Sequence, residues 1–220
     1  MLNTKLAFKK ESGSFPFDLI DNTTLRVSYV PVRTGTYSAD LYGYIESASQ
    51  FSEIIAALEL MEETDEFVLN LSSGGGSLNA ADTLIHAIKK TKGHFHVVAT
   101  GNISSAATFI LLHAHSFELS EGFNSLIHCG SLVSGGNFNE YKQEIKFSAE
   151  FMENSLKRAY EGFLTDPEMD EMLKGVDRWI TSEEWVERHE ARNAYFVAKE
   201  KAEREPVLVV RKPKKAIAQK

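Results

Sequence analysis

The residues of this chain best suited to chemistry gather around a run of small, uncharged side chains, "GNISSAATF" at 101–109, in which Ser104 and Ser105 stand side by side. The strand-like segment "FHVVAT" precedes this run and the helical pattern "SSAATFILLHA" grows out of it, so the serines lie at a strand-to-helix junction. A serine there is placed to attack a carbonyl, because the start of a helix leaves N–H donors unpaired beside it. The same position suits a helix N-cap, whose hydroxyl accepts from one of those donors. The stretch by itself leaves both readings open. It is not the G-x-S-x-G nucleophile elbow, since Gly101 lies too far from Ser105 and Ala107 replaces the closing glycine.

A second candidate is the triplet Gly74, Gly75 and Gly76, between the strand pattern "EFVLNL" (66–71) and a helical stretch through "LNAADTLIHAIKK". Glycines there let backbone N–H groups approach an anion or a polarised carbonyl. A phosphate loop is excluded because no Gly-Lys-Ser/Thr follows, and the spacing misses the dinucleotide fingerprint. An oxyanion hole, main-chain docking of a peptide, and a simple tight turn remain.

A serine nucleophile needs a base, and the chain has seven histidines. His94 and His96 share one face of a predicted strand, while His113 and His115 flank the end of a helix. Neither pair has a cysteine or carboxylate in ligand spacing, so no metal site is expected. His86 and His189 are expected on helix surfaces. His128 differs, because it ends the apolar "SLIH" and opens the Gly/Ser-rich "CGSLVSGG", where an imidazole can face a cleft.

The elements that must position these groups alternate strand, loop and helix, which argues for an α/β domain of parallel β-α units with helices on the sheet. Strands are expected at 25–32, with Pro31 suiting an edge, at 39–45, at 66–71 and at 95–100, ending at Gly101. Short strands are expected in "FELSE" and "FNSLIHC". A helix with Phe51, Ile54, Ile55, Leu58 and Met61 on one face is expected to start at Ser47 or Ser49, and 138–164 reads as one long helix. Residues 1–24 read as an N-terminal arm, 25–190 as the main domain, and 191–220 as a C-terminal extension whose tail turns basic from 206 and frays at least beyond Pro213.

Composition bounds the function. The chain has 220 residues, 43% hydrophobic and 25% charged, enough for one sizeable core. A net charge of −7 argues against nucleic acid as the main partner. The single Cys129 excludes an internal disulfide and fits a reducing compartment. Neither a signal-peptide core at the N-terminus nor an apolar run of spanning length is visible, so a soluble, cytoplasmic protein without membrane contact is expected.

Taken together, these residues resemble the Clp protease proteolytic subunit, ClpP, a self-compartmentalising serine peptidase with a crotonase-like superfold. The family's Asn-Ser-Pro-Gly-Gly-Ser loop is similar to "LSSGGGSLNAA", its Gly-Gln-Ala-Ala-Ser-Met-Gly-Ala-Phe-Leu-Leu segment to "GNISSAATFILL", its Asn-Ser-Arg-Val-Met-Ile-His strand to "FNSLIH", and its Asp-Arg-Phe-Leu-Ser-Ala-x-Glu-Ala segment to "DRWITSEEW". The resemblance covers roughly residues 38 to 190. It implies Ser105 as nucleophile, His128 as base and Asp177 as the acid, with the backbone N–H groups of Gly76 and Ala106 as oxyanion donors. It further implies repeated β-β-α units with a protruding "handle" helix at about 139–163. An extended substrate would lie along Gly75, Ser77 and Leu78 and along Cys129 and Gly130 past the base.

The partners it implies are a polypeptide substrate, other copies of the chain in a heptameric ring or double ring, and an AAA+ unfoldase, with no cofactor. Several positions depart from the family pattern. Gly74 stands for its proline, Ala107 for a glycine, and Cys129 for a Gln, while the residues before about 38 do not match its pore loops. Such divergence suits virus-encoded members acting in the host cytoplasm, some of which process capsid proteins. Two other readings stand beside the protease: a catalytically silent assembly subunit, and a crotonase-type acyl-CoA enzyme, which shares the oxyanion hole but needs no Ser-His-Asp set.

Overall fold

The computed structural model describes residues 34–131 and 137–204. The arm at 1–24, the strand expected at 25–32 and the basic tail from 206 lie outside the described residues. Within them, strand-forming alternation builds a six-stranded sheet in the order β1-β2-β3-β5-β6, with β4 also paired to β3. The strands are β1 (Thr36–Tyr42), β2 (Glu66–Ser73), β3 (His94–Ser104), β4 (Ser116–Leu119), β5 (Asn124–Ile127) and β6 (Arg178–Thr181). All pairings are parallel except β5 with β6.

The period-2 pattern decides which face is covered. Phe67, Leu69 and Leu71 of β2 and Phe95, Val97 and Ala99 of β3 are all buried, and the rings of Phe67 and Phe95 stack at 5.4 Å. Helices cover this face. A 3₁₀ turn (Ala48–Phe51) leads into α1 (Ser52–Leu60), followed by α2 (Leu78–Lys90), α3 (Ala106–Leu112), α4 (Phe138–Ala159), α5 (Asp166–Leu173) and α6 (Ser182–Arg204). The 3₁₀ turn has Ser47 at its N-cap, but the Ser47 side chain makes no capping bond. α2 is amphipathic, burying Ala80, Ala81, Leu84, Ile85, Ala87 and Ile88, and Ser77 caps it by accepting from the Ala80 N–H at 3.3 Å. Every residue of α3 is buried, which makes it the innermost helix.

Two differences from the sequence expectation shape the site. β3 does not end at Gly101 but continues to Ser104. Gly101 has φ +64°, and the register slips between the Leu71–Ala99 and Ser73–Ile103 pairs, so β3 kinks there. Its first half pairs with β4 (His96–Ala99) and its second with β5 (Asn102–Ser104). The stretch 138–164, expected as one helix, is the single helix α4, which ends early at Ala159 with Tyr160 as its C-cap; α5 begins only beyond it, at Asp166. Gly162, with φ +73°, and the Thr165–Glu168 capping box separate the two.

Candidate active site

Ser105 immediately follows the last residue of β3 and has φ +54° and ψ −127°, the one non-glycine residue with positive φ among the described residues. A Cβ in that region costs energy unless the surroundings over-determine it, and here they do. The Ser105 N–H donates to the Leu126 carbonyl at 2.9 Å, and the Thr108 N–H donates to the Ser105 carbonyl at 2.9 Å. Ser105 occupies the N-cap position of α3, yet its side chain makes no capping bond. The Ser104 hydroxyl donates to Asn102 Oδ1, and the Asn102 amide donates to Asn124 Oδ1 at 3.0 Å. Neither serine side chain therefore caps the helix: Ser104 is tied into a strand-to-strand network, and among the described residues the Ser105 hydroxyl has no hydrogen-bond partner.

The glycine loop packs directly against this turn. A Cβ on Gly75 would fall 2.6 Å from both the Ser104 carbonyl oxygen and Ser105 Cβ, and 2.9 Å from the Ala106 nitrogen. Only glycine permits such an approach, so the triplet is more than a turn. Gly76 bridges Ile45 in parallel, where a Cβ would lie 2.1 Å from the Ile45 oxygen. Ile45 also receives and donates flanking bonds, from the Ser77 N–H at 2.8 Å and to the Gly75 carbonyl at 2.9 Å. The Gly75 N–H is held by Ser73 Oγ at 3.1 Å. Among the described residues, the Gly76 and Ala106 N–H groups have no hydrogen-bond partner. Leu78, the first residue of α2, is half-buried.

Sheet register carries the other two residues of the set. β5 and β6 pair antiparallel with Ile127 opposite Arg178, so His128 and Asp177 are the next facing positions beyond that pair. β5 lies against the end of β3, with Leu126 opposite Ser104. Ser105, His128 and Asp177 thus emerge at one end of the sheet from three consecutive strands. His128 is half-buried and Asp177 exposed, and among the described residues neither side chain has a hydrogen bond or ion pair. Past His128, Cys129 and Gly130 are half-buried. Gly130 has φ +83°, and a Cβ on it would lie 3.2 Å from Met152 Sδ of α4.

Beside Asp177, an ion-pair cluster anchors β6. Arg178 contacts Glu168 at 3.0 Å and Glu171 at 3.1 Å, while Arg188 contacts Glu168 at 2.7 Å and Glu184 at 2.8 Å. The Arg188 hydrogen bond holds the Glu168 carboxyl down at about 2. Its local sequence signals are the Thr-x-x-Glu box at 165–168 and the i,i+4 pair of Glu184 with Arg188, while the link of Arg188 to Glu168 joins positions 20 apart.

The remaining histidines serve packing. His94 Nε2 and His96 Nδ1 both meet Ser116 Oγ, at 2.6 and 2.7 Å, and His115 Nδ1 accepts from the Phe95 N–H at 2.8 Å. The His113 ring donates from Nδ1 to the Phe109 carbonyl at 2.8 Å, and burial pushes it down to about 4, so it is neutral at pH 7. His86 is exposed on α2, whereas His189 is half-buried and packs edge-on to Phe117 at 4.8 Å. No cluster suited to a metal ion occurs among the described residues, and no helix among them is long and apolar enough to cross a membrane.

No curated protein matches the chain. Among solved structures, ClpP1 of Listeria monocytogenes, an Asn-to-Asp mutant, is similar with a TM-score of 0.52 and 24% identity, over 71% of this chain and 87% of that one. At that identity the likeness is one of fold. The family model for Clp protease matches residues 42–198, which include the glycine loop, the strained serine and the β5–β6 pair. With most of its length matched and a mostly parallel sheet of ClpP type, the chain belongs to the Clp protease family.

Proposed function

We propose that the protein is a serine endopeptidase in which Ser105, His128 and Asp177 form the catalytic triad. The observation that carries this reading is the strained Ser105, pressed against Gly75 at the strand end where His128 and Asp177 also emerge. In this mechanism Ser105 Oγ attacks the peptide carbonyl while His128 takes its proton. Asp177 orients the imidazole and stabilises its charged form. The tetrahedral oxyanion is held by the Gly76 and Ala106 N–H groups, which otherwise lack partners. His128 then protonates the leaving amine, and water hydrolyses the acyl-serine by the same proton relay.

Substrate pairing falls on main chain that is still free. Gly75 is buried and spends both its N–H and its carbonyl internally, and Ser77 spends its N–H, so an extended peptide would use the exposed Gly74 and Gly76 and the Cys129–Gly130 strand continuation. Assembly into a ring of like chains is supported by α4, which leaves Phe138, Tyr141, Ile145, Phe147 and Phe151 exposed. Mass measurement in solution tests the assembly.

A fluorophosphonate probe tests the nucleophile. The wild-type protein should be labelled at Ser105 and cleave an unstructured peptide, and Ser105→Ala should do neither. Labelling that persists in Ser105→Ala would sink the assignment. The unpartnered His128 and Asp177 favour one second reading, a silent subunit that only builds an assembly. An intact protein that assembles but neither labels nor cleaves would establish it.

A further inference from the structure

Next to the Ser105 carbonyl lies a pair of buried hydroxyls. Thr108 and Tyr160 are both buried, and Thr108 Oγ1 lies 2.6 Å from the Ser105 carbonyl oxygen and 2.6 Å from the Tyr160 hydroxyl. The proton arrangement follows from valence. A carbonyl oxygen can only accept, so the single Thr108 proton goes to Ser105, and Tyr160 must donate to Thr108. Burial pushes the Tyr160 phenol up, which keeps it a donor. Tyr160 is itself fixed: its N–H closes α4 on the Leu156 carbonyl at 3.0 Å, and its ring lies edge-on to Phe109 at 5.2 Å.

The Ser105 carbonyl therefore has two donors from one residue, the Thr108 N–H and the Thr108 hydroxyl. That carbonyl and the Ala106 N–H are opposite edges of one rigid, trans peptide unit. Fixing the carbonyl fixes where the N–H points. It also fixes ψ of Ser105 and, through it, the relation of the serine side chain to the oxyanion donor. A threonine bonding back to a carbonyl one turn earlier is ordinary inside a helix. Here the acceptor is the strained, non-helical Ser105, and a second buried hydroxyl sets the direction of the proton.

We propose that Thr108 and Tyr160 are positioning residues of the peptidase site: Thr108 aims the Ser105–Ala106 peptide at the substrate oxyanion, and Tyr160 locks the Thr108 hydroxyl in the donating orientation. This rests on the nucleophile reading above. It adds that the end of α4 reaches the oxyanion hole through two hydroxyls.

The test compares Thr108→Val, Thr108→Ser, Tyr160→Phe and the Thr108→Val/Tyr160→Phe double variant, using the fluorophosphonate acylation rate, kcat and KM on one peptide, and the melting temperature. Thr108→Val, which keeps the shape, should lower kcat and acylation about 10- to 100-fold with KM within about twofold, as expected for misaim of a transition-state donor. Thr108→Ser should recover to within about threefold of wild type. Tyr160→Phe should lose about three- to tenfold, and the double variant should be no slower than Thr108→Val, because Tyr160 acts through Thr108.

Acylation of Thr108→Val at the wild-type rate, failure of Thr108→Ser to recover, or a loss confined to KM would each overturn the proposal. If Thr108→Val does not fold, Thr108→Ser and Tyr160→Phe decide it by the same criteria. A wild-type protein unlabelled at Ser105 overturns the nucleophile reading and this proposal together. A labelled wild type with an equally fast Thr108→Val overturns the positioning role alone.

Discussion

Ser105 is gripped from several sides, by Leu126, by Thr108 and by the bare backbone of Gly75, whereas His128 and Asp177 are brought alongside only by the register of β5 on β6. The Ser105 turn carries a backbone conformation that costs energy, and its neighbours hold it there. Neither His128 nor Asp177 has positive φ, and among the described residues neither side chain has a hydrogen bond or ion pair. The contrast suggests a division of labour. Oxyanion stabilisation needs donors fixed before reaction, while proton transfer depends on bonds that tighten once substrate is present. Changes on the nucleophile side should therefore disturb folding and activity together, and changes on the acid–base side activity alone.

The sharpest way to break this contrast is Ser105→Ala, which should reduce peptide hydrolysis at least about a thousandfold. The same site reports strain: Ser105→Gly, equally inactive, should melt above Ser105→Ala by about 1 kcal/mol, since glycine takes positive φ without a Cβ clash. Equal melting of the two would mean that the turn stores no strain. Next in size, Asp177→Asn should lower kcat about a thousandfold by misorienting the imidazole. Because Asp177 is exposed and has no ion pair among the described residues, stability should stay within about 0.5 kcal/mol of wild type. A large loss of stability in urea titration would show that Asp177 is a structural residue.

Gly75→Ala should cut activity about a hundredfold and destabilise by about 2–3 kcal/mol. It places a Cβ 2.6 Å from Ser105 Cβ at a φ of +92°. Activity assay and chemical denaturation of one preparation measure both effects.

The smallest expected effect concerns the anchor of β6. Glu168 is held at about 2 against an ordinary value of 4.5, so the unfolded chain takes up the proton first as pH falls. The stabilisation is fully present above about 4.5 and is lost as pH drops toward 2. Glu168→Gln should cost about 1–3 kcal/mol at neutral pH and flatten the acid limb of melting temperature against pH. His113 adds a slope of the same sign at milder pH. Its folded value of about 4 lies below the ordinary 6.5, so stability falls as pH drops from 6.5 toward 4.

Local pattern explains why part of this was legible in the chain. The glycine triplet between a strand and a helix, the apolar face of α2 and the alternation of β2 are short-range signals, and the four quoted segments pointed to the family that residues 42–198 match. Several features escaped. β6 has four residues, too few to show a period. The kink at Gly101 looked like a strand end because a glycine marks either a stop or a bulge. The cap reading of the serines failed because a cap and a strained nucleophile draw on the same residue type at the same junction.

By itself the sequence determined the residue types at the site, their order, and the places where only glycine lets two backbones meet, since these depend on side-chain identity and local dihedral preference. Tertiary structure alone decided which serine is strained and that His128 and Asp177 follow the paired residues Ile127 and Arg178 on neighbouring strands. It also decided that Thr108, from α3, and Tyr160, 52 positions away, stand behind the nucleophile. Those are contacts between segments far apart in the chain, and their geometry exists only once the sheet has set its register and the helices have packed on it.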